Sequence, residues 1–190
     1  GNPFPIPELL VSSVGATCDD FSAIAQRLES LGFPILWWEI PARRTPESGE
    51  DSVELPGGFT APVSQVEFVT AELGRIRKAL DELTGQVITD DEIRQGIAEA
   101  NHARRLLADL REAVFTADPC PLPALELLIA EMLIIHFCSD RDETLEVLEG
   151  LLREVRSRSA KGVGILEPGA VKVFWVNPVA DLRAMNVLEE

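Results

Sequence analysis

The chain has 190 residues, 32 acidic and 17 basic, for a formal charge of −15. That acid excess excludes the clustered lysines and arginines with which nucleic-acid binders displace counterions, and it disfavours docking on an anionic membrane surface. At about 100–200 residues per domain there is room for one domain or one and a fraction. Apolar residues make up 46% of the chain and its mean hydropathy is +0.09, so a folded core is expected.

No membrane span is expected. The longest apolar stretch, Leu127 to Cys138, is interrupted by Glu131 and His136 and is shorter than the roughly 18 residues a spanning helix needs. The opening GNPFPIP lacks the basic and apolar regions of a secretory leader. Cys18, Cys120 and Cys138 are odd in number and far apart, a usage suited to a reducing cytoplasm rather than to a disulfide framework. Gly1 in place of Met reads as a protease scar. The chain is therefore expected to be a piece of a longer protein, and a site shared with the rest would look incomplete.

Leu9 to Val14 reads as a short strand, followed by a turn, Gly15-Ala16-Thr17-Cys18-Asp19-Asp20, whose Thr17, Asp19 and Asp20 are possible N-caps. A helix follows with Phe21, Ile24, Ala25 and Leu28 on its inner face, and Pro34 to Pro41 reads as a second buried strand. Such a βαβ unit predicts a parallel pair. Ala42 to Pro62 has no period and reads as a loop of about 20 residues, which is long for a connection. It leaves the carboxyl end of a strand, where open α/β sheets bind ligands.

From Pro62 the pattern becomes helical. Val66, Val69, Leu73, Ile76, Leu80 and Leu83 form an a/d stripe that ends at Thr84-Gly85. Thr89 and Glu92 have capping-box spacing and open a second helix with Ile93, Ile97, Ala100, Leu107, Leu110 and Val114 inward, so an antiparallel αα-hairpin is expected. A proline-stiffened link precedes Ala124 to Cys138, an apolar helix expected to be buried on most sides, and Asp142 to Arg158 is an ordinary amphipathic helix. Lys161 to Gly169 reads as a loop, Val171 to Val176 as a third strand, and Asp181 as the start of a last helix. The predicted fold class is α/β: helix-rich, with a small parallel Rossmann-like sheet, a long αα-hairpin and further helices. The expected organisation is residues 1–60 as the βαβ portion with its loop, 61–160 as a helical segment, and 161–190 as loop, strand and helix start.

Generic catalytic signatures are missing: the chain has no GxGxxG, P-loop, HExxH or GxSxG. No catalytic residue is assigned. His102 and His136 lack a second ligand in metal spacing and read as a solvated and a buried histidine. Cys18 lies between a strand and a helix N-terminus, where N–H groups and the helix dipole favour a thiolate. It is either a nucleophile or metal ligand, or a small residue packed under the turn. Cys120 and Cys138 read as structural. Arg43 and Arg44 are an adjacent basic pair at the ligand edge, suited to a phosphate; the alternative is a solvated pair that offsets Glu47, Glu50 and Asp51. Trp37 and Trp38 alternate across their strand and read as core.

Thr17-Cys18-Asp19 after a strand, then Trp38-Glu39-Ile40-Pro41 closing the next, resembles the 2-hydroxyacyl-CoA (2-hydroxyglutaryl-CoA) dehydratase D-component and benzoyl-CoA reductase subunit family. Glu82 to Arg94, ELTGQVITDDEIR, and Glu99 to Leu107, EANHARRLL, look like that family's central helical segment. The stretch from Pro119 through the amphipathic helix and Val173 to Pro178 keeps the family's order, so the resemblance covers nearly the whole chain. The chain departs from the pattern in two places. No Lys follows Cys18-Asp19 in the stretch Phe21 to Gln26, and Val176-Asn177-Pro178 stands where many members have a Gly-Cys-Pro or Gly-Ser-Pro turn.

The resemblance implies part of a lyase subunit that removes water from a 2-hydroxyacyl-CoA by a radical route. An ATP-dependent activator protein injects one electron, and a homologous second subunit completes the dimer. It implies a [4Fe–4S] cluster with one open iron, an electron relay and Lewis acid. Cys18 matches one ligand, and the other ligands are expected outside the chain, so this chain alone is expected to bind no intact cluster. The acyl-CoA substrate carries phosphates, which gives Arg43 and Arg44 a ligand class. Two alternatives remain: a benzoyl-CoA reductase subunit, and a degenerate cluster-free interaction or ligand-binding subunit.

Overall fold

In a computed structural model the chain divides into two compact units, residues 1–88 and 89–190. The structure describes residues 6–15, 18–135 and 140–173, together with Met185, Val187 and Glu189.

The first unit is built on a parallel pair of strands, β1 (Leu10–Gly15) and β2 (Ile35–Ile40), joined through helix α1 (Asp19–Ser30). Their register runs from Leu10 opposite Ile35 to Gly15 opposite Ile40, so both carboxyl ends lie on one edge of the sheet. The expected βαβ unit is present. The inner face of α1 is narrower than its sequence suggests: Ala25 is buried and Leu28 half-buried, while Phe21 and Ile24 are exposed. Two polar contacts add to the packing, with the Ser22 hydroxyl donating to the Ser13 carbonyl at 3.3 Å and the Trp37 indole N–H to Glu29 at 3.0 Å. Trp37 and Trp38 are both half-buried.

The expected 20-residue loop contains an antiparallel hairpin, β3 (Ser52–Leu55) and β4 (Phe59–Pro62). Its turn is Pro56-Gly57-Gly58, in which both glycines have positive φ. Four-residue strands with polar and acidic positions are too short to show a period, which hides the hairpin from pattern reading. Helix α2 (Val63–Thr84) follows directly and ends at Gly85, left-handed at φ 67°. Its a/d stripe does not form a buried seam. Val66, Leu73 and Leu83 are exposed, and the one buried residue of the helix is Glu72.

The second unit is helical. Helix α3 (Asp90–Thr116) opens with the predicted capping box: the Glu92 N–H donates to the Thr89 hydroxyl at 3.2 Å, and the Thr89 N–H to the Glu92 carboxylate at 2.7 Å. Ala103, Leu107, Leu110 and Val114 of α3 are buried against Leu122, against Leu127 and Ala130 of α4 (Ala124–Ile135), and against Leu148, Leu152 and Val155 of α5 (Arg141–Ala160). Among the described residues the core partners of α3 meet its second half, and Ile93 and Ile97 are exposed. Helix α4 buries one stripe rather than most of its sides, leaving Ile129, Met132 and Ile135 exposed.

Residues 161–172 run beside the α3–α4 connection. The Ile165 N–H donates to the Cys120 carbonyl at 2.9 Å, and the Lys172 ammonium donates to the Phe115 and Ala117 carbonyls at 2.8 Å each, closing the open end of α3. Val171 to Val173 of the expected third strand carry no strand pairing. Its remainder, Phe174 to Val176, lies outside the described residues, as do Asn177-Pro178, the start of the last helix at Asp181, Thr17, His136 and Cys138.

Candidate functional site

Parallel pairing places the turn after β1 and the segment after β2 on the same edge of the sheet, the edge where such sheets take ligands. Three observations define its geometry.

The first is the close approach of Gly15 to Ile40. Gly15 has φ +98°, and a Cβ on it would stand 2.2 Å from the Ile40 carbonyl oxygen. Only glycine lets the two strands end this close together. Three residues on, Cys18 is the N-cap residue of α1 and is exposed, so the thiol stands in the open at the sheet edge rather than packed beneath it. Asp19 and Asp20 are the first residues of the helix. The Phe21 N–H of this first turn donates to the Cys18 carbonyl at 3.2 Å, and the Cys18 side chain makes no capping hydrogen bond.

Secondly, α2 hydrogen-bonds the outer edge of β2 with side chains where a neighbouring strand would use backbone. The Arg75 guanidinium donates to the Trp37 carbonyl at 3.3 Å, and the Glu39 N–H donates to the Glu72 carboxylate at 2.8 Å. Two helical turns before Glu72, the Gln65 amide donates to the Ala42 carbonyl at 2.9 Å and accepts from the Arg44 N–H at 3.4 Å. Gln65 and Glu72 are seven residues apart and so share one face of α2. An exposed strand edge invites pairing with other chains, and here a helix covers it.

Glu72 is buried at 8% exposure, and its second oxygen accepts from Arg75 at 2.5 Å. The Arg75 guanidinium, with the Glu39 N–H behind it, holds this carboxyl below its ordinary value of 4.5. A carboxylate whose folded value is lowered contributes stability that is complete above the ordinary value and is lost as pH falls through the folded one. Glu72→Gln keeps the shape but removes that charge. The difference in urea midpoint between native chain and variant is therefore expected to be widest at neutral pH and to shrink as pH falls below about 4.5. A difference that stays constant from pH 7 to pH 3.5 would refute the role given to the charge.

The third observation separates the two arginines. The Arg44 guanidinium makes a two-armed contact with Glu50, donating to one carboxylate oxygen at 2.6 Å and more closely to the other. Glu50 also accepts the Glu47 N–H at 2.9 Å. Together, Arg44 first and then the Glu47 amide, they lower the Glu50 carboxyl to about 2, and the same contact raises Arg44 above its ordinary value. Arg44 thus fastens the loop after β2. Arg43 lies over the ring of Phe59, 4.8 Å from its centroid, and donates one N–H to the Thr60 carbonyl at 3.3 Å.

Of the remaining candidates, Cys120 donates its thiol to the Leu122 carbonyl at 3.3 Å, a packed and partnered position. His102 is half-exposed and 3.5 Å from Glu149. Among the described residues no three His, Cys, Asp or Glu side chains come together as a metal-binding group. Cys18 is an exposed thiol, and among the described residues no set of donors for a cluster is assembled around it. The sequence singled out Cys18, Arg43 and Arg44 as candidates and did not single out Glu72, Gln65 or Phe59. Its available signal was two polar residues at heptad spacing beside an apolar stripe.

A parallel βαβ unit with an exposed cysteine at the strand-to-helix turn and a helical second unit defines a class: an α/β protein with its ligand edge at the strand ends. The family of the 2-hydroxyglutaryl-CoA dehydratase D-component matches over residues 3–190. The chain belongs to that family. No curated protein matches the chain. Among the described residues no helix is long and apolar enough to cross a membrane.

Proposed function

We propose that the chain forms part of a dehydratase subunit that eliminates water from a 2-hydroxyacyl-CoA, and that Cys18 supplies one thiolate to an iron–sulfur cluster completed by donors beyond the described residues. The observation that carries this is the exposed Cys18 at the N-cap of α1, at the carboxyl edge of a parallel pair, in a chain of the D-component family. The β-hydrogen of such a thioester is far too weakly acidic for a side-chain base to remove, so an activator-delivered electron fits the chemistry better than acid–base catalysis. A bound cluster supplies an electron path and a Lewis-acidic iron. The chain's own contribution is to hold the thiol in the open. Gly15 lets β1 end against Ile40, and the exposed Cys18 stands at the N-cap of α1 with no capping hydrogen bond to its side chain. The protein would act in the cytoplasm, where cysteine ligands stay reduced.

Cys18→Ser in the dehydratase assembled with its partner subunit is expected to lose most of the iron and sulfide that the native assembly takes up on anaerobic reconstitution, together with its paramagnetic signal after reduction. Iron content equal to native would overturn the ligand assignment, and a native assembly that takes up no iron would favour the cluster-free binding subunit. A full cluster on the isolated chain would overturn the view that the other donors lie elsewhere. Ring reduction of benzoyl-CoA by the same assembly would replace dehydration as the reaction.

A further inference from the structure

Arg43 differs from the salt-bridged arginines of the first unit in how it is held. Its backbone is bracketed, since the Gln65 amide bonds the Ala42 carbonyl on one side at 2.9 Å and the Arg44 N–H on the other at 3.4 Å. The guanidinium rests on the Phe59 ring, and one of its donors reaches the Thr60 carbonyl. Phe59 is itself backed by Gly57, where a Cβ would stand 3.2 Å from the ring. Neighbouring Arg44 is already engaged by Glu50 through both arms. The hairpin therefore presents a cation that is exposed, oriented and, among the described residues, without a carboxylate contact, in a chain of charge −15.

Such a cation is pre-organised. Its stem entropy is already spent on the ring and the bracketed backbone, and its remaining N–H groups form a fork that matches a phosphate. We propose that Arg43, seated on Phe59, is the receptor for a phosphate of the coenzyme A portion of the ligand, with Arg44 acting on the loop alone. This rests on the acyl-CoA reading above and narrows it to one side chain.

The experiment is calorimetric titration of the chain with coenzyme A, with 3′-dephospho-coenzyme A, and with inorganic phosphate. Arg43→Gln is expected to weaken coenzyme A binding about tenfold or more. Arg43→Lys, which keeps the charge but loses the fork, should fall between the two. Arg105→Gln, an equal change of charge on α3, reports the effect of net charge alone, and Arg44→Gln should weaken binding no more than it does. Inorganic phosphate is expected to bind more weakly than coenzyme A. An equal response to it would mean a general anion site and overturn the coenzyme A assignment. Native-like binding by Arg43→Gln, or an equal loss in Arg44→Gln, would overturn the role of Arg43 and leave the dehydratase reading intact. A native chain that binds no coenzyme A would overturn both. Far-UV spectra and melting curves of each variant exclude misfolding as the cause.

Discussion

Gly15→Ala is expected to destabilise the first unit by about 3 kcal/mol, combining roughly 1–2 for a side chain in a left-handed conformation with the cost of a steric overlap. At φ +98° the added Cβ would stand 2.2 Å from the Ile40 carbonyl oxygen and 3.0 Å from its carbon. Both atoms are backbone within the β1–β2 register, so no rotamer change relieves the contact, and no substitution of the Ile40 side chain can rescue the variant. The strand ends must instead move apart, carrying the turn that presents Cys18. Urea denaturation measures the loss, and a change under about 1 kcal/mol would show that the strand ends are not held as close as described. In the assembled dehydratase the same variant should reduce iron uptake even though Cys18 is intact, which connects the turn's backbone to the proposed ligand.

Leu110→Ala is expected to cost the second unit about 3–4 kcal/mol. Leu110 is fully buried where α3 meets α4 and α5, among Leu107, Val114, Leu122 and Leu148. Collapse into the resulting cavity would require three helices to shift together. Ion pairs span the same elements: Arg111 to Glu131 at 2.7 Å, Arg141 to Glu99 at 2.6 Å and Arg156 to Asp109 at 3.1 Å. Exposed pairs of this kind contribute about 0–1 kcal/mol each, so Arg156→Ala should have a much smaller effect than Leu110→Ala. The reverse order in denaturant midpoints would place the stability of this unit in its charges rather than its core.

Legibility followed the length of the periodic signal. Thr89 and Glu92 announce the start of α3 because the capping box is local: both hydrogen bonds lie within four residues and need no tertiary partner. The βαβ unit was readable because two apolar strands flank a single helix. The hairpin of Ser52–Leu55 and Phe59–Pro62 was not, since its strands are too short for alternation to stand out. The a/d stripe of α2 was misleading about burial. Periodicity shows that apolar residues share a face, but not which neighbour that face receives, and in this helix the buried residue is Glu72.

The same division runs through the site. The sequence by itself determined the acidic α/β character, the end of α2 at Thr84 and the start of α3 after Thr89, the family pattern around Cys18 and the presence of two adjacent arginines, because each is a matter of composition or of residues near in the chain. Tertiary structure decided what those residues do. Gln65 and Glu72 meet the backbone of residues 39–44 across more than 20 positions of sequence, and this contact covers the sheet edge. Arg43 and Arg44 are equivalent in the sequence and unlike in the fold, since Glu50 reaches one and the Phe59 ring the other. A guanidinium's availability depends on what lies within a few ångströms of it, and that distance exists only once the loop and the hairpin have folded together.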